Sequence, residues 1–274
     1  MSKLGVVVLI IFAVVIIAMI GFRVPPKPFQ RRTLAGSQGS APADIEIPAG
    51  LPAPVERFFK AFAPDGLGDT RSVVFYGRGR IRPFGIWLPA RFVFIHEAGR
   101  NYRHYFEATW FGMPFLKVNE GYVDGKSFFE SPMGNLNDDP AANQGANLAL
   151  WAEAGWFPSV WITDARVRWE AVDDCTALLR VPFGSDTETF VARFNPATGL
   201  LDTMEAMRYR EAGEGKPKIL WIARSELAQA SANGKAIASG SAMWLDQGAP
   251  WAYFNMETAI YNADVAQYLR ARGN

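Results

Sequence analysis

The sequence is poor in the residues that most often build metal centres and disulfides. It has one cysteine, Cys175, and two histidines, His96 and His104, among 274 residues. A single cysteine excludes an intramolecular disulfide. The formal net charge is +1, so the chain lacks the excess of basic residues that binds nucleic acid, and we expect no nucleic-acid partner.

Common catalytic motifs are also missing. No G-x-S-x-G serine-hydrolase elbow occurs, and no second histidine follows His96 at metalloprotease spacing. Asp173 and Asp174 form an adjacent acidic pair, but aspartates in a tight hairpin commonly serve turn geometry. We therefore predict no cofactor, and the sequence favours a protein that is not an enzyme without deciding the matter.

One long apolar segment lies near the N-terminus. Residues 4–22 carry no charged or hydrogen-bonding side chain, and at about 1.5 Å per residue they extend over about 28 Å. A cleaved signal peptide usually has a shorter apolar stretch. We predict that residues 1–23 form a single-pass transmembrane anchor in the bacterial cytoplasmic (inner) membrane.

The flanking charges address the orientation of this anchor. Lys3 precedes the apolar segment, whereas Arg23, Lys27, Arg31 and Arg32 follow it. The positive-inside rule then favours a cytoplasmic domain. A resemblance to a known family favours the opposite side. We therefore make no prediction of the side of the membrane on which the domain lies.

Composition and turn signals divide the rest of the chain. Residues 24–50 are rich in Pro, Gly, Ser and Ala and predict a flexible tether. Residues 51–274 predict a single β-rich domain, with helices over 51–63 and 140–154. Strands are predicted at 71–82, 85–97, 102–111, 114–123, 126–131, 167–172, 175–182, 187–194, 200–209, 217–229, 236–245 and 251–261.

Short turns between these strands predict the fold class. Asp124-Gly125 is a strong two-residue hairpin signal, because both positions accept positive φ. Strands at this spacing favour a mainly β (α+β) fold, with a strongly curved antiparallel sheet or half-barrel and a few packed helices.

One hairpin is long enough to test its register. A three-residue loop at 99–101 would pair His96 with His104 and place both histidines on the aromatic side of the ribbon. The predicted ligand-binding residues are Trp87, Phe92, Phe94, His96, His104, Phe106 and Trp110. Two histidines alone make a poor zinc site, and no third ligand is near in the sequence, so we predict no metal. Two histidines satisfied at the margin of a core are the simpler interpretation, and a ligand site is the alternative.

Several motifs resemble an uncharacterised bacterial family of β-rich proteins. They are a W-F-P turn at 156–158, an R-W-E-x-V-D-D hairpin at 168–174 and an F-x-x-x-x-G-L link at 194–200. The segments LPAPVERFF at 51–59 and YVDGKSFFESPMG at 122–134 are similar too. One departure is that Pro217 and Trp221 are not adjacent. The pattern also resembles the half-barrel of bacterial lipoprotein carriers, which implies a curved sheet over an apolar cavity.

Three functions are compatible with these patterns. The first is a membrane-anchored, non-enzymatic binder or carrier of a lipid or other apolar ligand. The second is a protein-interaction or scaffold module at the membrane, and the third is an enzyme that modifies envelope lipid or glycan. The membrane and an apolar small molecule are the expected partners, and the sequence identifies no protein partner.

Overall fold

The architecture comes from a computed structural model that describes residues 2–31, 43–227 and 238–273. It begins with helix α1 (Lys3–Gly21), which is long and apolar enough to cross a membrane by length and composition. Almost all of its side chains are exposed, so the helix is not buried in the protein core. Its N-terminus is capped by the Ser2 hydroxyl, which accepts a hydrogen bond from the Gly5 backbone N–H.

Three further α-helices pack on the sheet: α2 (Ala53–Phe62), α3 (Pro140–Glu153) and α4 (Val160–Thr163). Helix α2 buries Val55, Phe58 and Phe59, the apolar face expected from their spacing. Asp139 begins α3, because its side chain accepts a hydrogen bond of 2.9 Å from the Ala142 backbone N–H.

Fifteen strands are described. Two of them, β1 (Asp44–Ile45) and β2 (Leu67–Gly68), form a small separate pair. The other thirteen form one antiparallel sheet: β3 (Ser72–Ile81), β4 (Leu88–Glu97), β5 (Asn101–Trp110), β6 (Met113–Val123), β7 (Lys126–Ser131), β8 (Gly134–Asn137), β9 (Arg168–Asp173), β10 (Thr176–Phe183), β11 (Asp186–Phe194), β12 (Leu201–Tyr209), β13 (Lys218–Leu227), β14 (Ala238–Trp244) and β15 (Pro250–Tyr261).

The large sheet is an open, strongly curved meander. Its order is β8-β7-β6-β5-β4-β3-β15-β14-β13-β12-β11-β10-β9, so β3 pairs with β15 in the middle and the two edge strands do not meet. Helix α3 contacts β6 and β7 from one half and β10 and β12 from the other. The sheet therefore has to bend around this helix, which confirms the mainly β fold predicted from the sequence.

Apolar side chains pack on both faces of the sheet. The larger core lies on the concave face and includes the buried residues of α2 and α3, together with aromatic residues of β3, β4 and β5. A smaller cluster on the other face joins Val74, Val93 and Tyr105 to Phe29 and to Leu269. Chain segments from outside the sheet thus cover part of its outer face.

The segment that follows α1 lies against this outer face. Phe29 is buried, and the Arg91 guanidinium lies 4.3 Å above its ring. The backbone oxygen of Lys27 accepts a hydrogen bond of 3.2 Å from Arg91. The part of the predicted tether around Phe29 therefore packs against the domain. Residues 32–42 of the tether lie outside the described residues.

The predicted register of the β4–β5 hairpin is wrong by two residues. The loop is 98–100, so Glu97 pairs with Asn101, His96 with Tyr102 and Phe94 with His104. A shift of two residues keeps every side chain on its predicted face, because side chains alternate with a period of two. Both histidines therefore share the concave face, but they lie diagonally rather than opposite each other.

Candidate functional site

The two histidines meet a carboxylate on the concave face. His104 Nε2 lies 2.8 Å from Glu153 Oε2, and His96 Nε2 lies 3.3 Å from the same oxygen. The other ring nitrogen of His104, Nδ1, lies 3.2 Å from Glu120 Oε1. We call His96, His104, Glu120 and Glu153 the histidine cluster. It brings together strands β4, β5 and β6 and the end of α3.

The two histidines differ in protonation. Burial lowers the pKa of His96 well below its usual value, and the nearby His104 lowers it further. Burial also acts to lower the pKa of His104, but the negative charge of Glu153 and hydrogen bonds with Glu120 and Glu153 outweigh it and raise the pKa to about 9. At neutral pH, His96 is therefore neutral, and His104 is an imidazolium that can donate to both carboxylates.

Two more polar side chains border this cluster. Burial raises the pKa of Tyr102 well above its usual value, and the charges of Glu120 and Glu153 add to the effect. Burial lowers the pKa of Arg208, whose guanidinium lies 4.4 Å from the Trp221 ring. A small cavity of about 210 Å³ is lined by Tyr102, Glu120 and Arg208 among other residues.

Five of the seven predicted ligand-binding residues pack against one another. Phe94 stacks on His104 with ring centroids 3.9 Å apart, and Phe92 stacks on Phe94 at 4.3 Å. Phe106 meets Phe94 edge to face at 5.1 Å, and His96 is fully buried beside them. These five belong to the packed core, and none lines a cavity described here. Their role in ligand binding stays a prediction.

Trp110 lies apart from that group, against helix α1. It is 41% exposed, and its indole N–H donates a hydrogen bond of 3.2 Å to the Ala18 backbone oxygen. The next residue, Phe111, donates its backbone N–H to the oxygen of Gly21 at 2.9 Å. The turn between β5 and β6 therefore meets the C-terminal end of α1.

This turn exposes several large apolar side chains. Trp110, Phe111, Met113 and Phe115 are each at least 40% exposed, and we call residues 110–115 the interface hairpin. Phe115 also contacts Phe22, with ring centroids 6.2 Å apart. Exposed aromatic residues beside the end of an apolar helix are typical of a membrane–water interface.

A large groove opens beside the same end of α1. It has a volume of about 1060 Å³ and lies between the end of α1 and strands β3, β4 and β15. Its wall combines apolar and basic side chains: Met19, Phe22, Arg23, Pro25, Pro26, Arg78, Gly79, Arg80, Ile86, Trp87, Leu88, Pro89, Tyr253, Asn255 and Glu257. Trp87 is the one predicted ligand-binding residue in this wall.

Arg80 is held in the groove by aromatic rings. Its guanidinium carbon lies 4.8 Å from the Trp87 ring and 4.5 Å from the Tyr253 ring, and these two rings are 5.5 Å apart. Arg78 is paired with Glu257 at 2.5 Å. The wall contains three arginines and one carboxylate, Glu257. Among the described ion pairs, neither Arg23 nor Arg80 has an acidic partner, so the wall has an excess of positive charge.

The acidic pair of the sequence lies elsewhere. Asp173 ends edge strand β9, and its carboxylate accepts a hydrogen bond of 2.8 Å from the Cys175 backbone N–H. That bond lowers the pKa of Asp173, with Thr176 adding to the effect. Asp173 and Asp174 are exposed in a turn of the β9–β10 hairpin and are not part of the histidine cluster.

Sequence reasoning missed the partners that complete both sites. Glu153 lies at the end of the predicted helix and was not among the predicted site residues. Its position one turn before the W-F-P motif is the one signal that could have marked it as a candidate ligand. Arg80 alternates with Arg78 and Arg82 in the strand predicted at 71–82, a pattern typical of a solvent-facing side. Tyr253 lies far from Arg80 in sequence, and only the pairing of β15 with β3 places Tyr253 opposite Arg80.

Three known structures have a similar course of the chain, at low similarity. A LolA superfamily protein from Nitrosomonas europaea has 9% identity and a TM-score of 0.45, covering 80% of this chain and 98% of its own. An outer membrane lipoprotein-sorting protein domain from Vibrio parahaemolyticus has 7% identity and a TM-score of 0.41, with 79% and 93% covered. A DUF1329 family protein from Desulfovibrio piger has 10% identity and a TM-score of 0.42, with 81% and 98% covered.

Similarity at this level carries no argument about the ligand. A comparison with functionally curated proteins finds no match. A family model described as a family of unknown function, DUF6544, matches residues 42–256. This family match confirms the resemblance to an uncharacterised family expected from the sequence motifs.

Proposed function

The chain belongs to DUF6544, a family of unknown function, and we propose that this member is a membrane-anchored, non-enzymatic binder of a lipid with an anionic headgroup. The observation that carries the proposal is the groove beside the end of α1. It is the largest described cavity, and its wall combines apolar surface with a stacked guanidinium.

The chemistry of the wall suits an amphipathic ligand. Met19, Ile86 and Leu88 offer apolar surface for an acyl chain, and about 1000 Å³ is the upper end of the usual volume for ligand cavities. Arg80 offers a planar donor fork that recognises phosphate or carboxylate, and its stacking on Trp87 reduces the entropy lost on binding.

The location of the groove supports the same ligand. Met19 and Phe22 belong to the end of the apolar helix, so a membrane crossed by α1 would end at the mouth of the groove. The interface hairpin lies beside it and exposes the aromatic side chains that favour the headgroup region. A lipid could then enter from the bilayer without passing through water.

The test is native mass spectrometry of the full-length chain purified in mild detergent. We expect bound phospholipid, and added phosphatidylglycerol should bind more tightly than phosphatidylcholine. Arg80→Gln should remove most of the preference for the anionic lipid, and Trp87→Ala should weaken both lipids about tenfold or more.

Arg180→Gln provides the matched control. Arg180 is a partly exposed arginine of strand β10, paired with Glu170 outside the groove, so its replacement should leave lipid binding unchanged. Equal lipid binding by wild type, Arg80→Gln and Trp87→Ala would show that the groove is not the binding site.

A further inference from the structure

We propose that His96, His104 and Glu153 form a binding site for a divalent first-row transition metal ion such as zinc. The site is distinct from the lipid groove and does not depend on the proposed function. Two imidazoles and one carboxylate form a donor set found in zinc sites that keep a fourth position open.

The donor atoms have the spacing that one ion requires. One ligand atom from each of the three residues lies within 4.8 Å of the other two. Glu153 Oε2 lies 2.8 Å from His104 Nε2 and 3.3 Å from His96 Nε2. Donors that surround a tetrahedral zinc ion at about 2.0–2.1 Å are about 3.3 Å apart, so the two distances to Glu153 Oε2 are close to those of a tetrahedral site.

His96 supplies the second, independent observation. It is 0% exposed, and neither of its ring nitrogens has a hydrogen-bond partner among the described residues. Its 3.3 Å approach to Glu153 does not have the geometry of a hydrogen bond. A buried imidazole without a partner costs free energy, and coordination of an ion through Nε2 would remove part of that cost.

His104 is oriented as metal-binding histidines usually are. Its Nδ1 faces Glu120 at 3.2 Å, so an Nδ1–H donated to that carboxylate leaves Nε2 free to coordinate. A carboxylate that holds the outer nitrogen fixes the tautomer and the ring orientation. Stacking of Phe94 on the His104 ring at 3.9 Å restricts the ring further.

The local charge balance also accommodates a cation. Glu120 and Glu153 contribute two carboxylates, and Arg208 is the guanidinium that interacts with both. Coordination through His104 Nε2 would take the place of its 2.8 Å contact with Glu153. Cys175 lies on the turn between edge strand β9 and its neighbour β10, outside this cluster.

The test uses the full-length chain in detergent, stripped with a chelator and then dialysed against zinc or cobalt(II). We expect one zinc ion per chain by elemental mass spectrometry, and visible d–d absorption of bound cobalt typical of four or five ligands. Glu153→Gln and His104→Gln should each weaken zinc binding by at least 100-fold. Glu120→Gln, which alters only the orienting carboxylate, should weaken it about 10–100-fold.

Glu170→Gln is the matched control, because Glu170 is an exposed carboxylate paired with Arg180 on the edge hairpin. It should bind zinc like wild type. Circular dichroism checks that each variant is folded, and if a variant unfolds, the stoichiometry and cobalt spectrum of the wild type still decide. A wild-type chain that retains no zinc, or variants that bind as tightly as wild type, would overturn the proposal.

Discussion

The indole N–H of Trp110 donates a hydrogen bond to the Ala18 backbone oxygen across 3.2 Å. That oxygen also accepts from the Phe22 backbone N–H, so the last turn of α1 and the interface hairpin share an acceptor. Helix α1 and the β sheet are thereby joined at one end, and the groove lies beside this junction.

Gly21 allows this junction to form. A Cβ atom at Gly21 would overlap the Trp110 indole ring, so Gly21→Leu should separate the hairpin from the helix. We expect faster hydrogen exchange in the turn at 111–112, measured by mass spectrometry on the full-length chain in detergent.

Gly5→Leu is the control for that experiment, because a Cβ there meets only the Ser2 hydroxyl, at 3.5 Å. It lengthens a side chain of the same helix without approaching the hairpin. Unchanged exchange in Gly21→Leu would show that the contact contributes nothing to the junction.

Phe111 adopts a backbone conformation that bulky residues rarely take. Its φ is +49° and that of Gly112 is +75°, the values of a type I′ turn between Trp110 and Met113. Asn is favoured at this position, and Phe111→Asn should raise the free energy of unfolding by about 1 kcal/mol. Chemical denaturation in detergent measures it. A loss of stability would mean that the contact between the Phe111 and Trp110 rings outweighs the strain.

Arg103 holds the C-terminal segment against the outer face of the sheet. The side chain is 2% exposed and donates to Asn119 at 2.6 Å and to the backbone oxygens of Tyr268 and Gly273. Arg103→Met should lower the free energy of unfolding by about 2–4 kcal/mol, because hydrogen bonds from a charged donor are lost.

Arg180→Met is the comparison for Arg103. The Arg180 side chain is 41% exposed and paired with Glu170, so its loss should cost less than about 1 kcal/mol. Equal effects of the two substitutions would contradict a structural role for the buried guanidinium.

Metal removal gives a prediction for stability. If zinc binds only the folded chain, zinc at about 100 times its Kd should raise the free energy of unfolding by about 2.7 kcal/mol. Excess chelator should abolish that gain, and at the same zinc concentration Glu153→Gln should gain no more than about 0.4 kcal/mol. Thermal unfolding with and without zinc measures the difference, and a wild-type chain with no zinc-dependent shift contradicts it.

Many of the strand positions were accessible from the sequence, because turn chemistry is local. Strand β7 has the predicted bounds, and Asp124 and Gly125 have the expected positive φ values of +54° and +80°. The strand predicted at 85–97 begins only at Leu88, since Pro83 starts a short 3-10 turn. Strand β8 was missed because Gly134–Asn137 has little apolar patterning.

The candidate sites were predictable only in part. Side-chain alternation placed His96 and His104 on one face, and that assignment survived a register error of two residues. Glu153 joins them from a helix that reaches back across the concave face, which no spacing in the sequence expresses. Alternation also assigned Trp110 to the same face as the aromatic core residues. In the structure Trp110 lies at the end of the hairpin and contacts α1 instead.

The sequence alone determined the apolar helix, the run of short strands and the faces of the β4–β5 hairpin, because each depends on residues close together in the chain. Only the tertiary structure decided which aromatic rings form the core and which border a groove. It also decided that Glu153 meets both histidines and that Tyr253 lies beside Arg80. The reason is that these contacts arise from the bending of one long sheet around α3, and the bend depends on packing between residues that are far apart in the sequence.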